Sequence, residues 1–162
     1  MTKVARSRTA KFQAPASFPG SASAFSGRLR RLFERCWSEA TSYNAAHWTR
    51  ENAAYGQCAV TALVVQDLLG GQLVCGEGAQ GSHYWNLLPE IGELDLTRTQ
   101  FPDAYAFFDV QIADRAYVLS FPDTQKRYSI LNDAIKNLLL SQPWYRNSPH
   151  ASRSQVSAAA SI

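Results

Sequence analysis

The run QCAVTALVVQDLL, residues 57–69, is apolar on nearly every side of a helix and stops at Gly70 and Gly71. A helix without a polar stripe has no side to turn to water, so the rest of the chain must wrap around it. The glycine pair is a natural helix stop. Cys58 falls in the first turn of this central helix, behind Tyr55-Gly56-Gln57, and Gly56 lets the backbone approach a neighbour closely.

A chain of 162 residues, 46% hydrophobic and 18% charged, fits one globular domain with a real core. No apolar run approaches the ~18 residues that cross a bilayer, so no membrane association is expected. Residues 1–25 and 147–162 are rich in Ser, Ala and Pro without hydrophobic periodicity, and are expected to be flexible tails around a core of residues 26–146. The opening stretch is basic and acid-free as far as Glu34, a composition that also suits a transit peptide or a nucleic-acid-binding arm. The net charge of +3 owes much to that arm, and the remainder is mildly acidic, so no nucleic-acid partner is expected for the core. Cys36, Cys58 and Cys75 cannot all pair and form no CxxC spacing; with no secretion signal, reduced thiols and a cytoplasmic setting are expected.

Leu29, Leu32, Phe33, Cys36 and Trp37 recur at steps of three and four, which predicts a helix over residues 26–41. A polar and aromatic loop then leads to Cys58. After the glycine pair, QLVCGEG reads as a strand, GAQGS as a turn, and HYWNLLP and GELDLT as a hairpin. Alternation places His83, Trp85 and Leu87 on one face, and Tyr84, Asn86 and Leu88 on the other. His83 heads one strand and Asp95 lies near the end of the next, so the short loop brings them side by side. Residues 102–127 carry no clear periodicity and are expected as the far wall of a cleft. A closing helix is expected over residues 127–141, with Ile130, Ala134, Ile135, Leu138 and Leu139 inward and Pro143 as its stop.

Cysteine chemistry needs a thiolate, and a helix N-terminus offers unpaired N–H groups and partial positive charge that favour an anion there. His83 is placed to move the proton, and a carboxylate on its other nitrogen, Asp95, would hold its tautomer and orientation. The backbone N–H of Cys58 is available to an oxyanion. The plain alternative makes all three ordinary core residues, as is expected of Cys36 and Cys75. A zinc site from Cys58, Cys75, His83 and Asp95 matches no common spacing, so no metal or other cofactor is expected.

The blocks YGQC, HYWN and LDLT, in that order, resemble the catalytic motifs of the transglutaminase-like superfamily, and GQCAVTALVVQDLLGG, HYWN and DLTRTQF are similar to small bacterial YunG-like proteins. The resemblance covers about residues 48–101 and implies an α+β, papain-like core, with the cysteine-bearing helix packed on an antiparallel sheet. It implies Cys58 as nucleophile, His83 as general base and acid, and Asp95 as the orienting carboxylate. Trp48, Trp37 and the side chain of Gln57 are candidates for a further oxyanion donor. Trp85 is expected to pack beside His83 and Asn86 to bond backbone. Thr97 and Arg98 are candidates for a substrate carboxylate, against a structural ion pair of Arg98 with Glu93 or Asp103. The implied reaction is acyl transfer from an amide- or ester-bearing substrate, such as a protein or peptide side chain, covering amidase, deamidase, peptidase and transglutaminase. The alternatives are a silent binding or regulatory domain of the same fold, and an acyl-CoA-dependent acyltransferase.

Overall fold

The computed structural model describes residues 22–89 and 91–141. Most of both expected tails, and the proline stop at Pro143, lie outside the described residues. Helix α1 (Ala22–Glu34) begins inside the stretch read as the N-terminal tail and ends short of residue 41. It stops because the chain tightens: the N–H groups of Cys36 and Trp37 both bond the Phe33 carbonyl, at 2.8 Å each. Ser38 N–H then donates to Thr41 Oγ1 at 2.9 Å, closing a 3-10 turn over Glu39–Thr41. Such side-chain-to-backbone bonds compete with a continuing α-helix. Phe33 and Trp37 are still buried, as the periodicity requires.

Helix α2 (Cys58–Leu69) is the centre of the molecule, with six consecutive residues from Val60 to Val65 buried. It packs against the sheet on one side and against the closing helix on the other. Its stop is the glycine pair, with φ of 74° at Gly70 and 78° at Gly71. A Cβ on Gly71 would also lie 2.6 Å from the Leu87 carbonyl oxygen, so the turn into the sheet admits only glycine.

Four antiparallel strands follow: β1 (Gln72–Gly78), β2 (Gly81–Leu88), β3 (Gly92–Leu94) and β4 (Phe108–Ile112), in sheet order β3-β2-β1-β4. The first hairpin pairs Gly78 with Gly81 and the second pairs Asn86 with Leu94. Strand β4 and the short helix α3 (Arg115–Leu119) arise from the stretch without clear periodicity. Every residue of β4 is exposed, so no burial pattern marks it in sequence.

Helix α4 (Pro122–Leu140) starts five residues before the expected 127, with Pro122 at its first position. Proline suits that place because its missing N–H would be unpaired anyway. Its inner face is Arg127, Leu131, Ile135 and Leu139, whereas Ile130, expected inward, is 38% exposed. The i, i+4 row from Arg127 turns Leu131 into the core and leaves Ile130 at its edge. Two apolar clusters result, one joining Phe33, Val60, Val64, Leu131 and Ile135, the other Ala62, Leu63, Leu73 and Val118. Tyr128 packs against both. The molecule is thus mixed α+β with an antiparallel sheet, and among the described residues no helix is long and apolar enough to cross a membrane.

Candidate active site

Cys58 is the first residue of α2, and the helix N-terminus there has no side-chain cap. The first intrahelical bond runs from Thr61 N–H to the Gln57 carbonyl at 2.9 Å. The N–H groups ahead of it therefore lack partners within the helix. The preceding Gly56 has φ of 69°, and its carbonyl accepts from Tyr43 N–H at 2.8 Å. Half-buried Cys58 lies on a cleft of about 780 Å³ that Tyr55, Tyr84, Gln100, Phe101, Phe121 and Arg127 also line.

His83 stands behind this wall with 0% exposure. Its Nε2 meets Asp95 Oδ2 at 2.7 Å. The other carboxylate oxygen, Oδ1, accepts from both the N–H and the hydroxyl of Thr97, at 3.0 Å each. Both oxygens of Asp95 are thereby fixed, and with them the imidazole. The second ring nitrogen, Nδ1, is buried with no formed hydrogen bond. The Cys58 thiol is close enough to act on the ring as hydrogen-bond partner and as charge. With Nε2 committed to Asp95, Nδ1 is the nitrogen left to face the thiol.

Aromatic rings enclose the imidazole. Phe107 stacks on it at 4.7 Å between centroids, Phe101 meets it edge-on at 4.9 Å, and Trp85 stacks at 5.7 Å. Gly76, opposite His83 in the strand register, makes this possible. A Cβ there would lie 2.9 Å from Trp85 and 3.0 Å from Phe107. Burial is the largest influence on the His83 pKa and pulls it down. The hydrogen bond to Asp95, the nearness of the Cys58 thiol and the charges of both outweigh it and raise the pKa from 6.5 to about 9. The ring is accordingly a cation at neutral pH. Burial pushes the Cys36 and Cys75 thiols up, so those two stay protonated.

The fold thus brings Cys58, His83 and Asp95 together. Trp85 packs beside His83, and Asn86 donates to the Ala62 carbonyl of α2 at 2.9 Å, as its place in the strand led one to expect. The remaining site expectations need correction. The Trp48 indole N–H is committed to the Ala53 carbonyl at 3.0 Å, and that of Trp37 to Thr61 Oγ1 at 2.9 Å. Gln57 is fully buried with its side-chain amide on the Ser38 carbonyl at 3.0 Å, so none of the three reaches the cleft as a donor. Arg98 forms no ion pair with Glu93 or Asp103: it donates to the carbonyls of Asp103 and Tyr105 and lies 5.2 Å from the Phe107 ring centre. It braces the segment that roofs His83.

Four contributors carried no role in the sequence expectations. Gln100 accepts from Gly56 N–H at 3.3 Å and donates to the Thr97 carbonyl at 3.1 Å, joining the cysteine turn to the aspartate loop. Phe101 and Phe107 enclose the ring, and the aromatic density of residues 101–108 was their one visible signal. Arg127 lines the cleft while held by Asp123 at 2.6 Å.

A family model described as "YunG protein" matches residues 26–140. The protein described as "Uncharacterized protein YunG" from Bacillus subtilis (strain 168) is 32% identical over 73 residues, which are 45% of this chain. The match spans 60% of the length of that relative. No solved structure matches the chain.

Proposed function

Since this chain belongs to the YunG protein family, matched over residues 26–140, we propose that it is a cysteine-dependent acyl-transfer enzyme with a papain-like, transglutaminase-like core. The observation that carries the reading is the buried His83–Asp95 pair, 2.7 Å apart, beside a cysteine at an uncapped helix N-terminus that opens on a cleft. A structural cysteine needs neither an oriented imidazolium nor access to a cleft.

In the proposed mechanism the proton on His83 is the one that the Cys58 thiol gives up, which leaves the sulfur as the nucleophile. The thiolate attacks the carbonyl carbon of an amide or ester, and the Cys58 backbone N–H donates to the developing oxyanion. The carbon–heteroatom bond breaks, with the His83 proton passing to the leaving amine or alcohol and the acyl group remaining as a thioester. Water or an amine then attacks the thioester while neutral His83 takes its proton, which restores the starting pair. Asp95 keeps the ring aligned and stabilises its charge throughout. Hydrolysis and transfer share this path as far as the acceptor.

The test is the rate at which iodoacetamide labels each cysteine across pH, read by mass spectrometry. Cys58 should label fast at pH 6 while Cys36 and Cys75 stay silent, and His83→Ala should slow Cys58 by at least roughly tenfold. A native Cys58 that is inert, or that labels independently of His83, would sink the enzyme reading.

A further inference from the structure

A tetrahedral oxyanion is best held by two donors, and the Cys58 N–H is one. The indole N–H groups of Trp48 and Trp37 are committed elsewhere, and Gln57 is fully buried and does not line the cleft. Among the amide side chains lining the cleft, Asn44, Gln80 and Gln100, only Gln100 is bonded to the turn before Cys58. Its orientation is unambiguous: Oε1 must accept, because its partner is the Gly56 N–H, and Nε2 must donate, because its partner is the Thr97 carbonyl. A side-chain amide carries two N–H groups, and only one is engaged by Thr97. The second belongs to a half-buried side chain on the wall it shares with Cys58.

We propose that Gln100 is a catalytic residue, the side-chain donor of the oxyanion hole. It acts with the Cys58 backbone N–H on the carbonyl oxygen of the acyl donor. The proposal rests on the acyl-transfer reading. Its particular strength is preorganisation, because both ends of the amide are fixed before substrate arrives, and a donor that need not reorganise is worth most in the transition state. The same two bonds couple the donor to the triad. The Gly56 end sets it relative to the nucleophile, and the Thr97 end sets it relative to Asp95.

Two reactions at Cys58 separate the donor from the scaffold. Alkylation by iodoacetamide displaces iodide at a saturated carbon and forms no oxyanion. Acylation by p-nitrophenyl acetate forms the sulfur–carbon bond through a tetrahedral oxyanion and expels p-nitrophenolate with its electron pair. Both rates would be measured on the full chain for wild type, Gln100→Ala and Gln100→Glu, with mass spectrometry confirming the thioester on Cys58. Glutamate keeps an acceptor for the Gly56 N–H but has no N–H to offer. The expected result is acylation slower by roughly 10²- to 10³-fold in both variants, with alkylation within about twofold of wild type in Gln100→Ala; in Gln100→Glu the added carboxylate also disfavours the thiolate, so alkylation falls there, but by far less than acylation. Variants that acylate like wild type, or that lose acylation and alkylation in parallel, overturn the role of Gln100 alone. A wild-type Cys58 that neither acylates nor alkylates overturns the acyl-transfer reading, and this proposal with it.

Discussion

Gly56 carries the backbone through φ of 69°, two residues before the cysteine, in a region that L side chains rarely adopt. A Cβ there would stand 2.5 Å from Ser42 Oγ and 3.0 Å from Tyr43 N, where something must shift. Gly56→Ala is therefore expected to destabilise the protein by roughly 1–3 kcal/mol and to slow labelling of Cys58. Thermal melts paired with labelling rates check it, and a variant that melts with wild type removes the steric argument. Thr97→Val tests the other end of the site. It deletes the hydroxyl bond to Asp95 Oδ1 while leaving the backbone N–H bond, so folding should lose about 1 kcal/mol. At this scale the sequence was legible where motif and geometry coincide, as for Cys58, His83 and Asp95. It was illegible for Trp48 and Arg98, because which carbonyl captures an indole or guanidinium N–H depends on loop paths that no periodicity encodes.

Alternation along β2 separates two duties within a few residues. His83 and Trp85 face the aromatic roof, whereas Asn86 reaches back to the Ala62 carbonyl of α2 with 1% of its surface exposed. That bond locks the strand carrying the base to the helix carrying the nucleophile. Asn86→Ala should cost roughly 1–3 kcal/mol in denaturant unfolding, since it deletes a buried hydrogen bond between strand and helix and leaves its space unfilled. Leu87→Ala next door, at a position 38% exposed, should stay within about 0.5 kcal/mol. Equal losses at the two positions would contradict the assigned faces. The hairpin and α2 were readable because burial stamps a period on them: two for the strand, and unbroken apolarity for a helix wrapped on all sides. Strand β4 was not, because all five of its residues are exposed. The start of α4 was hidden for another reason: its first turn, Pro122 to Gln125, carries no large apolar residue to open a hydrophobic period.

The charge on His83 belongs to the whole molecule, since a ring with no exposed surface can exchange its proton with bulk solvent only if something opens. Its pKa is raised from 6.5 to about 9 on folding, with the hydrogen bonding and charge of Cys58 among the causes. Taken alone, such a group contributes stability that is complete below pH 6.5 and lost as pH rises through about 9. In a thiolate–imidazolium pair, however, the proton on the ring is the one the thiol gave up, so the native pair and the unfolded chain hold equal numbers of protons across that interval. Cys36, Cys75, Tyr84 and Tyr128 also have raised pKa values, but they titrate from 9 upward in the unfolded chain, so their linkage begins above it. Stability of the wild type, from denaturant unfolding under reducing conditions, should therefore stay nearly level from pH 6.5 to about 9. In Cys58→Ser both influences of the cysteine that raise the ring pKa are gone, so His83 should titrate below about 9, as read from its ring NMR signals. A wild-type curve that declines steadily across that interval, or a Cys58→Ser ring that still titrates near 9, would mean that His83 does not hold its proton at the expense of the cysteine.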